Sequence, residues 1–102
     1  MEFKDLAARL GIELEDFLEL LELYVQTSRT DLEKIRQATQ SGVPPLAAAA
    51  AHSIKGAAGN LGFTDTAELA LKMELQAKAG SLENFETYIK DLENQIAGLE
   101  QG

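Results

Sequence analysis

His52 is the only histidine among 102 residues, and the chain has no cysteine. It sits in Ala51-His52-Ser53-Ile54-Lys55-Gly56-Ala57-Ala58-Gly59-Asn60-Leu61-Gly62, which places one lysine and three glycines in helical surroundings. Glycine in a helix interior costs about 1 kcal/mol relative to alanine, so three in one stretch call for a reason. An imidazole can serve as a nucleophile, a proton carrier or a metal ligand near neutral pH. With one histidine and no cysteine, a zinc site would have to consist mostly of carboxylates, so no metal site is expected. Gly56, Gly59 and Gly62 match neither G-x-G-x-x-G nor a Walker loop, and no strand pattern precedes them, so a nucleotide cradle is rejected.

Helical phase separates the small residues into two groups. Successive residues advance by about 100°, so His52 taken as zero fixes the direction of every neighbour. Ala47, Ala50, Ala51, Ile54, Ala57, Ala58 and Leu61 fall between roughly 140° and 260°, forming one apolar stripe that must face a core. His52 points away from that stripe. Within about 60° of it lie Ala48, Ala49, Lys55, Gly56 and Gly59. A packed core histidine is disfavoured by this phase, and an incidental surface histidine does not account for such bare neighbours. Bare positions on a solvent face add nothing to a core, but they open an approach to the imidazole. A nucleophilic ring beside a flexible ammonium, with space cleared around it, suits transfer of an anionic group, with phosphoryl the foremost candidate.

The elements that must hold this face are all helical. No alternating strand pattern and no Asn-Gly hairpin signal occurs. Glu2 to Leu10 reads as a short helix closed by Gly11. Leu14, Phe17, Leu18, Leu21, Tyr24, Val25, Leu32 and Ile35 recur at three- and four-residue steps, which predicts a long amphipathic helix from about Glu13 to Gln40. Ser41-Gly42-Val43-Pro44-Pro45 ends it and starts the helix of His52, which runs from Pro45 to about Leu61. Asp65 with Glu68 resembles a capping box opening a further helix to about Ala79, with Leu69, Ala70, Met73 and Ala77 on one stripe. Gly80 ends that helix, and Ser81 is placed to cap the last one, where Leu82, Phe85, Ile89, Leu92, Ile96 and Leu99 keep a regular spacing. Four substantial helices with short loops predict an all-α, antiparallel up-down four-helix bundle, the short N-terminal helix lying across one end. Residues 1–102 read as a single domain.

Composition narrows the partners. Seventeen acidic against nine basic residues give a net charge of −8, which repels phosphate backbones and anionic lipid. The longest apolar run, Val43 to Ala51, is short and holds two prolines, so no membrane span is expected. The N-terminus lacks a basic segment followed by an apolar one, so the expected compartment is the cytoplasm.

The segment His52-Ser53-Ile54-Lys55-Gly56-Ala57-Ala58-Gly59-Asn60-Leu61-Gly62 resembles the signature of histidine-containing phosphotransfer (HPt) domains of bacterial phosphorelays. The signature is a histidine, a lysine three on, a glycine four on and a closing Leu-Gly, all on a helix. The resemblance in layout covers nearly the whole chain. Where many relatives carry serine, this chain has Ala58, which lies on the core stripe.

This resemblance implies that His52 is the phosphorylated nucleophile, that Lys55 supports the phosphoryl group and that Gly56 opens the partner's approach. Such domains also tend to place a glutamine or glutamate beside the histidine from the next helix, sometimes with a base one turn later. Glu74 and Lys78 occupy those places. Glu74 could orient the imidazole by accepting a hydrogen bond from Nδ1–H, leaving Nε2 free; the alternative is a solvent-exposed i,i+4 ion pair of Glu74 with Lys78.

The function implied is a phosphorelay intermediate that accepts a phosphoryl group from a receiver-domain phosphoaspartate and passes it to another receiver. It would be a covalent carrier without autokinase chemistry, with Mg²⁺ supplied by the receiver and no cofactor in the chain. Ala48, Ala49, Gly59, Phe63 and Lys78 are the expected docking residues, with Phe63 equally readable as a core plug. The expected partners are response-regulator receivers and a histidine or hybrid kinase, with no nucleic acid or membrane, and the expected state is a monomer. Two rival readings stay open: the phosphotransfer domain of a chemotaxis-type kinase, or a helical adaptor that is never phosphorylated.

Overall fold

The computed structural model describes residues 2–101, without the side chain of Gln101. Five helices follow one another: α1 (Phe3–Leu10), α2 (Leu14–Ser41), α3 (Pro44–Leu61), α4 (Thr64–Lys78) and α5 (Phe85–Gln101). No strand occurs among the described residues. Helix α3 packs against α2 and α4, α5 packs against the same two, and α1 rests on α2. The four long helices therefore close a ring, and the molecule is elongated, 42 × 21 × 17 Å.

The turn from α3 to α4 shows how local chemistry sets that ring. Gly62 adopts the left-handed conformation, φ 85°, which a side chain would resist. The Phe63 N–H then donates to the Ala58 carbonyl at 2.9 Å, closing α3 and turning Phe63 inward. A Cβ on Gly62 would also come within 3.2 Å of Leu6, so the glycine permits close approach of α1.

Two starting signals read from the sequence are not used. Helix α4 begins at Thr64, with Phe63 before it and no side-chain cap. The tight α3–α4 turn starts the helix one residue before Asp65, so the Asp65–Glu68 box has no free N-terminus to cap. Asp65 instead lies in the first turn, where its negative charge interacts favourably with the positive end of the helix dipole. Ser81 does not cap α5 either. Its Oγ accepts from the Glu83 N–H and from Gln76 Nε2, both at 3.3 Å, and so shapes the turn before Asn84. Asn84, at φ 66°, redirects the chain into Phe85.

The core has two parts. At one end Leu6, Ala7, Phe17, Leu21, Tyr24, Leu61 and Phe63 cluster, with Ala58 against them. Ring centroids lie 5.2 Å apart for Tyr24–Phe63 and 6.5 Å for Phe17–Phe63. Along the rest of the bundle Leu32, Ile35, Ile54, Met73, Phe85, Leu92 and Ile96 enclose a belt of alanines, namely Ala38, Ala47, Ala50, Ala51, Ala70 and Ala77. The phase computed for α3 holds: Ala47, Ala50, Ala51, Ile54, Ala58 and Leu61 are buried, and Ala57 is half-buried.

Candidate functional site

Three side chains converge on one carboxylate. Helix α3 carries His52 on its outer face, and α4 places Glu74 beside it. His52 Nδ1 lies 2.8 Å from Glu74 Oε2, while Lys55 Nζ donates to Oε1 at 2.7 Å. Lys78, one turn along α4 from Glu74, brings its Nζ to 3.1 Å from Oε2. Glu74 is 2% exposed, whereas the side chains of His52 and Lys78 are 65% and 62% exposed. The carboxylate is thus roofed by the groups it holds. The Lys55 ammonium, ahead of Lys78 and His52, holds the Glu74 carboxyl at about 2, against burial that would raise it.

This geometry bears on both readings of Glu74 and Lys78. The i,i+4 pair with Lys78 is present, but it is not the solvent-exposed pair of the alternative, because Glu74 is covered and also serves two residues of α3. The ionised carboxylate orients the ring. A neutral imidazole facing it donates Nδ1–H to Glu74, which leaves the Nε2 lone pair toward solvent. Glu74, Lys55 and Lys78 carry one negative against two positive charges, so this spot is locally cationic on a chain of net charge −8. An anionic group arriving at Nε2 meets attraction there despite the acidic surface.

The surroundings are bare, as the phase implied. Gly56 and Gly59 are exposed, and a Cβ built on either meets nothing within 4 Å. Ala49 is exposed beside them. Two of the expected docking residues are not available. Ala48 is 5% exposed, because α4 approaches so closely that Ala48 and Ala77 line the floor of one groove below His52. Phe63 is 3% exposed and packs on Phe17 and Tyr24, so the core-plug reading holds and docking through it is corrected. Large apolar side chains near the site are instead Leu46 on α3 and Leu71 and Leu75 on α4, all exposed.

The sequence reading passed over one pair. Ser53 Oγ donates to Asp31 Oδ2 on α2 at 2.6 Å, and Asp31 is 5% exposed. A signal was present: Asp31 continues the Tyr24, Ser28, Ile35 stripe of the second helix, where an acid is out of place.

A helical ring that presents one carboxylate-oriented imidazole between two lysines, on a helix face stripped of bulk, has the build of a covalent carrier for an anionic group. The Hpt domain family matches residues 19–102, and the chain belongs to that family, the histidine phosphotransfer intermediates of phosphorelays. The crystal structure of histidine-containing phosphotransfer protein B (HptB) from Pseudomonas aeruginosa PAO1 is similar. The likeness has a TM-score of 0.82 at 26% identity and covers 92% of this chain and 82% of that one. Comparison with curated proteins gave no significant match. Among the described residues, no helix is long and apolar enough to cross a membrane.

Proposed function

We propose that His52 carries the phosphoryl group, taking it from the phosphoaspartate of a response-regulator receiver domain and returning it to another. The observation that carries this reading is the 2.8 Å contact of Nδ1 with the ionised Glu74 carboxylate, which points Nε2 outward. In-line attack by the Nε2 lone pair forms a P–N bond as the P–O bond to the aspartate breaks, and the aspartate leaves as carboxylate. The ring keeps its Nδ1 proton and gains positive charge, which Glu74 stabilises through the same hydrogen bond. Lys55 stands one turn from His52 to support the phosphoryl oxygens.

The Mg²⁺ of the reaction is assigned to the receiver. Glu74, the carboxylate beside His52, is already taken by two ammonium groups, which fits a metal ion poorly. The chain acts as a carrier without autokinase activity of its own, in a single domain that we read as an antiparallel up-down bundle with α1 across one end. The ring of helix contacts supports that architecture. Docking uses the cleared centre at Ala49, Gly56 and Gly59, rimmed by Leu46, Leu71 and Leu75 and with Lys78 at its edge. Exposed leucines beside the site, on a chain of net charge −8, suit a protein surface better than a nucleic acid.

The test is incubation with receivers charged by acetyl phosphate in Mg²⁺. The wild type should gain an acid-labile, alkali-stable phosphoryl group and His52→Gln none. Label on His52→Gln, or none on the wild type from a broad panel of receivers and kinase cores, overturns the assignment.

A further inference from the structure

Consecutive residues of α3 are tied to opposite neighbours: His52 to Glu74 of α4, and Ser53 to Asp31 of α2. Both acceptors are buried carboxylates, 2% and 5% exposed. Glu74 has cations around it. Asp31 has none within ion-pair distance among the described residues, and its side chain bonds to Ser53 alone. A buried carboxylate without a counter-ion is a costly choice at a core position unless it serves a purpose.

The packing of α3 indicates what that purpose is. Its inward stripe is Ala47, Ala50, Ala51, Ile54, Ala58 and Leu61, so only two side chains are large enough to interlock with neighbours. Helices lock their roll and slide through ridges of side chains seated in grooves, and alanine offers shallow ridges. Register is then left to polar contacts, the best-attested use of buried polar groups. Side chains reach about 5–6 Å from a helix axis, so a roll of roughly 10° displaces the imidazole by about 1 Å. A misplacement of that size can cost on the order of 100-fold in a reaction that depends on orientation. Glu74 alone does not prevent such a roll, because its carboxylate can follow His52. A second tether, about 100° around the helix and on the other side, does prevent it.

We infer that Asp31 is a positioning residue for His52 that acts through the Ser53 hydroxyl, fixing the roll of α3 against α2. Its effect on rate rests on the phosphotransfer reading; its effect on the imidazole does not. The experiment therefore has two arms, run on Asp31→Ala, Asp31→Asn, Ser53→Ala and Ser53→Thr. The first arm reads the His52 ring nitrogens by long-range ¹H–¹⁵N NMR without any partner. The wild type should be held as the Nδ1–H tautomer, with Asp31→Ala and Ser53→Ala shifted toward a tautomer mixture. The second arm reads transfer from a charged receiver per folded molecule. The two alanine variants should each be slower by about 10-fold, and the double variant no slower than either, as expected for one shared contact.

Asp31→Asn still offers an oxygen acceptor and Ser53→Thr still offers a hydroxyl, so both should recover to within about threefold of the wild type. Ser53 is exposed, and alanine favours helix, so Ser53→Ala keeps the question open to test should Asp31→Ala fail to fold. Unchanged nitrogen shifts in folded Ser53→Ala overturn the inference, as does loss of rate that Ser53→Thr does not restore. A wild type with the expected tautomer that accepts phosphoryl from no donor sinks the phosphotransfer reading and leaves the positioning role standing.

Discussion

Phe17, Tyr24 and Phe63 fill one end of the bundle with interleaved rings, while beneath His52 helices α3 and α4 present Ala47, Ala50, Ala51, Ala70 and Ala77 to the core. Rings lock helices by shape, since each occupies a hole that nothing else fits. Alanines bring backbones close but leave the helices free to roll, and there the structure adds buried carboxylates at Glu74 and Asp31. The aromatic end is thus placed by ring packing, whereas at the alanine contacts of α3 buried carboxylates add to placement. The alanine belt also keeps α3 and α4 close enough for one glutamate to reach two residues of the facing helix.

The contrast breaks first, and by most, at Phe17. Its side chain is fully buried, and Phe17→Ala should cost about 3–5 kcal/mol of stability. Urea unfolding measures that loss, while phosphoryl transfer per folded molecule should stay within a factor of two of the wild type. A parallel fall in transfer would show that the two ends are not separate.

Gly56→Arg reverses the pattern. A side chain there meets open space, and arginine is a better helix former than glycine by roughly 0.5–1 kcal/mol. The melting temperature should therefore hold or rise. Transfer from a charged receiver should drop by about 100-fold, because the bulk stands where the partner must bring its phosphoaspartate into line with Nε2. A variant that melts higher and transfers normally would remove access as the reason for the glycines.

These opposite expectations follow how each region could be read from sequence. The five helices and the two faces of α3 were legible because they rest on periodicity, which burial enforces residue by residue. The place of Glu74 beside His52 came from resemblance to a known signature, and the Lys55–Glu74 bond was not foreseen; spacing along one helix does not show what a second helix brings to it. Ala48 was misplaced because phase gives a direction but not the distance of the neighbouring helix. Phe63 was left between two readings because its direction depends on the Gly62 turn, which periodicity does not describe. Asp31 was missed because its acceptor role needs the α2–α3 register, which no single-helix pattern contains.

The smallest effect tests the carboxylate itself. Glu74 titrates at about 2 in the folded chain against 4.5 as its ordinary value, with the Lys55 hydrogen bond the largest cause. A folded value below the unfolded one means the stabilisation is fully present above about pH 4.5 and is lost as pH falls toward 2. Glu74→Gln removes that segment of the acid-stability curve. Its stability should fall less than the wild type's between pH 4.5 and 2, with the difference between the two proteins largest at neutral pH. The effect is modest because Lys55 and Lys78 are 31% and 62% exposed, so water and salt screen both ion pairs. Added salt should narrow the difference further, whereas Phe17→Ala should keep its full cost in the same buffer, since burial of a ring owes nothing to charge. Acid curves that coincide for Glu74→Gln and wild type would mean that the carboxylate orients the imidazole without being held by the lysines.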